Sequence, residues 1–202
     1  RLVTSGDRTA RSVDELLDAL SKANSGETVF VPGDVVIDLT ARIYVDELVL
    51  EVPAGVTLAS DRGHLGSHGA EIASDALKTP VVIRPLGPGV RITGLRLRGP
   101  NPKRYQEHHS RSFGADGLGR DYYYRFPTSD CIKTEHGELE VDNCEVAGFA
   151  HAGVFLMDGD EHHIHHNFIH HCQYQGLGYG VCHRTASSLI ERNLFDWNRH
   201  SI

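Results

Sequence analysis

The sequence predicts an all-β protein built as a coil of parallel strands behind one N-terminal helix. Three observations lead there. Short β-branched runs are frequent and are broken by Gly, Pro and Asp. One amphipathic helical stretch stands near the start, and the second half carries an internal repeat of about 25 residues. With 202 residues the chain is long enough for one domain with a sizeable core, so a single domain over 1–202 is expected. Charged residues at 23% and hydrophobic residues at 40% exclude a disordered tail and a membrane protein. No apolar run approaches the roughly 18 residues that span a bilayer. The net charge of −7 speaks against binding to nucleic-acid phosphates, which takes clustered Lys and Arg.

The helix comes first, over 12–24. Ser12 and Glu15 form a capping box, Val13, Leu16, Leu17 and Leu20 make one apolar stripe, and Asn24-Ser25-Gly26 ends it. No further helix is predicted. Strand runs follow at Val29–Val31, Val35–Ile37, Leu48–Leu50, Val56–Leu58 and Val81–Ile83. The repeat then emerges by superposition. Ile92-Thr-Gly-Leu95-Arg-Leu97 matches Val141-Asp-Asn-Cys144-Glu-Val146, then Ile164-His-His-Asn167-Phe-Ile169, then Ile190-Glu-Arg-Asn193-Leu-Phe195, at steps of 49, 23 and 26 residues. A second strand keeps phase with it, because Ile132, Val154 and Val181 each precede a repeat by nine or ten residues. Two strands per repeat in fixed phase predict a coil whose inward positions stack into apolar columns. Asn167 and Asn193 fall in register and are expected to bond to buried turn backbone.

The I-x-x-N-x-I rungs, with the N-terminal helix and the first rung Gly26-Glu27-Thr28-Val29-Phe30-Val31-Pro32-Gly33, resemble the pectin-lyase-like superfamily over roughly residues 10 to 202. The resemblance implies a right-handed parallel β-helix with an N-terminal capping helix. It leaves the chemistry open, since that superfamily includes lyases, hydrolases, epimerases and binders without activity.

The long step holds an insertion, 101–129, expected as an ordered loop outside the rungs. It carries Lys103, Arg104, Tyr105, His108, His109, Arg111, Arg120, Tyr122, Tyr123, Tyr124, Arg125 and Phe126. The chain begins at Arg1 rather than Met, which suggests a removed leader or a trimmed end. The last rung runs to Ile202 without a polar cap, so missing C-terminal rungs are expected. Four cysteines at spacings of 13, 28 and 10 match neither a disulfide scaffold nor a zinc pattern; Cys144, in an inward column, and Cys172, at a rung turn, read as small packed residues, and the spacing leaves a disulfide between neighbouring rungs open.

Three constellations bear on function. Lys133, His136, His183 and Arg184 lie on one strand face and its turns, and are the candidate catalytic set for β-elimination. That reaction needs a cation on the uronate carboxylate and a base for the adjacent ring proton. Arg120, Tyr122, Tyr123, Tyr124 and Arg125 would form a sugar-binding wall, with aromatic faces for rings and guanidinium groups for carboxylates. The chain holds 14 histidines, eight of them between His151 and His183. Among these, His163 and His165 share an outward face with Asp142 and Glu191 one rung to either side, a candidate site for a divalent metal ion. Finally, Asp130-Cys131-Ile132 followed by His151 resembles polygalacturonase-type glycoside hydrolases. Here the family's Asp pair reads Ser129-Asp130, its Gly-His-Gly reads Ala150-His151-Ala152, and its Arg-Ile-Lys motif is absent. The expectation is an extracellular or periplasmic protein acting on an acidic polysaccharide by elimination or a related acid–base reaction. The alternatives are a binding or surface-structural protein without activity, a glycoside hydrolase, and a metal-dependent enzyme that uses the histidine-rich face.

Overall fold

The structure, a computed structural model, describes residues 2–77, 79, 81–100, 102–125 and 128–202, and only the backbone of 102–105. The side chains of Lys103, Arg104 and Tyr105, and Phe126 altogether, lie outside the described residues. In chain order the elements are β1 (Arg8–Thr9), α1 (Val13–Lys22), β2 (Thr28–Phe30), β3 (Val36–Asp38), α2 (Thr40–Asp46), β4 (Leu50–Val52), β5 (Thr57–Ala59), β6 (Glu71–Ala73), β7 (Ile83–Pro85), β8 (Arg91–Thr93) and β9 (Arg96–Arg98). Then come α3 (Pro102–Phe113), α4 (Arg120–Tyr123), β10 (Asp130–Thr134), β11 (Glu140–Asp142), β12 (Glu145–Ala147), β13 (Ala152–His165), β14 (Phe168–His170), β15 (Tyr179–Glu191) and β16 (Leu194–Asp196).

The strands pair in parallel. They form a six-stranded sheet, β16-β14-β12-β9-β6-β3, and a ten-stranded sheet, β1-β2-β5-β8-β11-β13-β10-β7-β4, with β15 added on β13. The larger sheet is curled. The first half of β13 pairs with β10 and its last residues pair with β11, so one strand joins two stacks. The chain therefore visits three stacks in turn, an arrangement compatible with a solenoid or β-helix-like fold.

The expectation of an all-β right-handed parallel β-helix is corrected. Among the described residues four α-helices accompany the parallel sheets, and the chain is mixed α/β. The insertion at 101–129, expected as a loop, carries two of these helices. α2 and α3 occupy connections that leave the six-stranded sheet, outside the strand repeat. α2 buries only Ile43, so it has no apolar stripe to announce it in the sequence. α1 follows its expected outline: the Ser12 hydroxyl accepts from the Glu15 N–H, and Leu16, Ala19 and Leu20 are buried.

The predicted register is observed pair by pair. Val141 lies between Ile92 and Ile164, which lies beside Ile190. Val146 lies between Leu97 and Ile169, which lies beside Phe195. Ile132, Val154 and Val181 form a third column. Burying these aliphatic side chains is the main stabilising term, about 1.5–3 kcal/mol for each full side chain. Corners between stacks are satisfied by side-chain amides. Asn167 donates to the Val141 carbonyl at 2.8 Å and accepts from the Cys144 N–H at 2.9 Å, and Asn193 repeats this on the Ile164 carbonyl and the Asn167 N–H. Asn198 does the same at the next corner, on the Ile169 carbonyl and the Cys172 N–H.

Each corner also needs one left-handed residue. From β8 onward, Gly94, Asn143, His166 and Arg192 fill one such column, and Gly148, His171 and Trp197 another. At Gly94 a Cβ would come 2.1 Å from the Ser60 carbonyl oxygen, so glycine is required there. The four cysteines are free, and burial pushes the thiols of Cys144 and Cys172 up to about 12.

Candidate functional site

The strongest concentration of chemistry lies where β10, β13 and β15 begin. Asp130 pairs in register with Ala152 and Ala152 with Tyr179, so Asp130, His151 (the residue that leads into β13) and Tyr179 stand side by side at the starts of three neighbouring strands. The His151 backbone is tied on both sides: its N–H donates to the Ser129 carbonyl at 2.9 Å, and its carbonyl accepts from the Tyr179 N–H at 2.8 Å. Its ring Nδ1 lies 2.7 Å from Asp130 Oδ1, and the Asp130 side chain is only 8% exposed. The ring is out of line for a hydrogen bond. Asp130 Oδ1 is thus the one buried side-chain polar atom without such a bond among the described residues.

Burial works against a charge on His151. The Asp130 carboxylate, with the Cys182 thiol also in contact, outweighs it and raises the imidazole to about 9. The pair thus favours the imidazolium form of His151. The Phe155 and Tyr179 rings flank it edge-on at 4.8 and 6.3 Å, and His200 stacks on Tyr179 at 5.0 Å.

The expected catalytic set is divided. Lys133 sits in the same row as Phe155 and Cys182, with its Nζ 5.4 Å from the Phe155 ring centre. Lys133 and His136 line one cavity of about 340 Å³ together with Arg84 and Glu135. His183 belongs to the next row, its Nε2 2.6 Å from Ser188 Oγ, and burial with the neighbouring His162 lowers its pKa and favours the neutral ring. Arg184 is exposed.

The expected sugar-binding wall is divided as well. Tyr124 is half-exposed and carries Arg120 over its ring at 5.6 Å, and Arg125 is exposed. Tyr122 is partly exposed. Tyr123 is buried, stacked between His108 and Tyr174, and its hydroxyl accepts from the Gln175 N–H at 2.8 Å. It anchors the insertion to the sheets. A neighbouring open cavity of about 620 Å³ has Gln106, His109, Tyr174 and Arg199 in its lining.

The four expected metal ligands do not converge on one point. His163 pairs with Glu191 at 3.2 Å and His165 with Glu140 at 3.1 Å. Asp142 is held by Arg91 through two bonds of 2.8 and 2.9 Å and by the Thr93 hydroxyl at 3.0 Å. Glu140, Asp142 and His165 do place ligand atoms within 4.8 Å of one another, but the Arg91 guanidinium, 3.5 Å from Glu140, is already the cation among them.

The sequence places Asp130 and His151 only in the polygalacturonase-type resemblance, not in the catalytic set. The signal for their contact is the repeat itself, because His151 precedes the register partner of Asp130 by one residue. No protein family, curated protein or solved structure matches the chain. Among the described residues no helix is long and apolar enough to cross a membrane.

Proposed function

We propose that the chain is a secreted protein, extracellular or periplasmic, that acts on an acidic polysaccharide by acid–base chemistry of the elimination type, and that its kinship lies with the pectin-lyase-like superfamily. The kinship is supported by the order in which the chain visits its parallel stacks and by the asparagine-bonded corners. The chemistry is carried by one observation, the Asp130–His151 pair, which keeps an imidazolium at the sheet face. In this reading His151 protonates the leaving glycosidic oxygen, and Asp130 positions and charges it. Lys133 neutralises the uronate carboxylate from beyond the Phe155 ring. The adjacent ring proton passes to water, because His136, beyond the far end of β10 in the cavity shared with Lys133, is out of reach of the bond that His151 protonates. Exposed Tyr124 and Arg120 flank the approach to the sheet from the insertion.

The test is incubation of the protein with a panel of uronate polymers, following ultraviolet absorbance of the unsaturated product. His151→Gln is expected to lower the rate by about 10²–10⁴-fold. New reducing ends without absorbance would mark hydrolysis, and saturable binding without turnover would mark a binding protein; either outcome overturns the elimination reading.

A further inference from the structure

We propose that two adjacent-histidine pairs, His165–His166 and His170–His171, each bind one divalent transition-metal ion through their Nδ1 atoms, Cu²⁺ or Ni²⁺ ahead of Zn²⁺. The two pairs are built alike. In each, the first histidine ends a strand, β13 or β14, and the second is the left-handed residue of the following corner, with φ of 55°. In each, the two rings stand nearly perpendicular, at 84° and 82°, and their Nδ1 atoms are 2.8 Å apart. The other rungs place Asn143, Arg192, Gly148 or Trp197 in these corner columns, so the paired imidazoles belong to this one turn of the chain.

A carboxylate sets the tautomer on the far side of each pair. Glu140 lies 3.1 Å from His165 Nε2, and Glu145 lies 3.3 Å from His170 Nε2. Each carboxylate holds its ring as the Nε2–H tautomer, which leaves Nδ1 as a bare lone pair aimed at the neighbouring histidine. Without metal, the second histidine fills that position with its own Nδ1–H. His166 is exposed, and His171 is partly exposed beside Trp197, so each second ring can shift to the Nε2–H form, and a tilt of the two rings then brings both Nδ1 lone pairs onto one ion beside the former hydrogen-bond line. No net proton release is required.

The spacing also selects the ion. Two imidazole nitrogens about 2.0–2.1 Å from one ion stand about 2.9 Å apart at a right angle and about 3.3 Å apart at the tetrahedral angle. The observed 2.8 Å, the length of the hydrogen bond within each pair, is already close to the spacing at the right angle of tetragonal Cu²⁺ or Ni²⁺ sites. The remaining coordination positions face water. The carboxylates act from outside the coordination sphere, the usual place for a group that orients a ligating imidazole.

Calorimetric titration of the full chain, free of any histidine tag, with CuCl₂ or NiCl₂ is expected to show two ions per chain. His166→Ala and His171→Ala are each expected to remove one ion, and the double variant both. His163→Ala, whose ring lies outside the pairs, is expected to retain two. Electron paramagnetic resonance of the Cu²⁺ form should show coupling to two nitrogens per ion. Unchanged thermal unfolding of the His166→Ala and His171→Ala variants without metal would establish that they fold. Binding of fewer than two ions, or binding that survives the double variant, overturns the proposal.

Discussion

The stacked strands and the α3–α4 insertion are held by different kinds of contact. The strand stacks rest on aliphatic columns, such as Ile92, Val141 and Ile164, that repeat with the rungs and are fully buried. The insertion rests on a separate aromatic cluster in which Tyr123 packs with Ala150 and Tyr174, beside Leu77 and Leu177. One region is specified by a period and the other by a single knob. His108 Nε2 and the Tyr174 hydroxyl both meet the Tyr123 carbonyl, at 2.9 and 3.0 Å, so the knob is also pinned through its backbone. A periodic core distributes its stability over many equivalent residues, whereas a knob concentrates the docking of a whole segment in one side chain.

The largest expected effect lies in the columns. Ile164→Asp would set an unpaired carboxylate among fully buried aliphatics, and a loss of more than about 4 kcal/mol is expected, enough to abolish the cooperative unfolding transition by circular dichroism. His163, the preceding residue on the opposite face, should tolerate alanine within about 1 kcal/mol. Similar behaviour of the two variants would break the assignment of inward and outward faces.

A smaller and more local effect is expected in the insertion. Tyr123→Ala should cost about 3–5 kcal/mol of docking. Residues 102–125 should then become cleavable by a protease, or exchange their amide hydrogens, while the strand stacks keep their protection. Loss of protection throughout would show that the two regions form one cooperative unit.

The third prediction concerns the junction between the regions, where His151 lies. Its pKa is raised from 6.5 to about 9 in the folded chain. The stabilisation from this pair is therefore fully present below about pH 6.5 and is lost as pH rises through about 9. Urea unfolding at pH 6 and pH 10 should show that loss, and Asp130→Asn should reduce it. In the same variant the imidazole, followed by NMR, should titrate well below 9. An unchanged His151 titration would remove Asp130 as the source of its charge.

Much of the fold was legible in residue order. The rung positions from Ile92 to Phe195 fall in the register their spacing implies, and Asn167 and Asn193 bond as their alignment suggests. Strand limits in the first half shift by a residue or two, since runs such as Leu48–Leu50 and Val81–Ile83 lead into the strands rather than coincide with them. The helices α2, α3 and α4 were not legible. They lie in connections outside the repeat, and α2 has a single buried residue by which to declare a face.

The site divides along the same line. Sequence alone determined which residues share a row, because a parallel strand repeat converts spacing directly into lateral neighbours. It thus placed Lys133, Phe155 and Cys182 together, and Asp142, His165 and Glu191 together. Only the tertiary structure decided which neighbours engage. Arg91 takes Asp142, Glu140 takes His165, and Asp130 meets His151 one residue off the row. The reason is physical: register fixes backbones to within a strand spacing of about 4.8 Å, whereas ion pairs and imidazole contacts are settled by side-chain reach and burial over the last two or three ångströms.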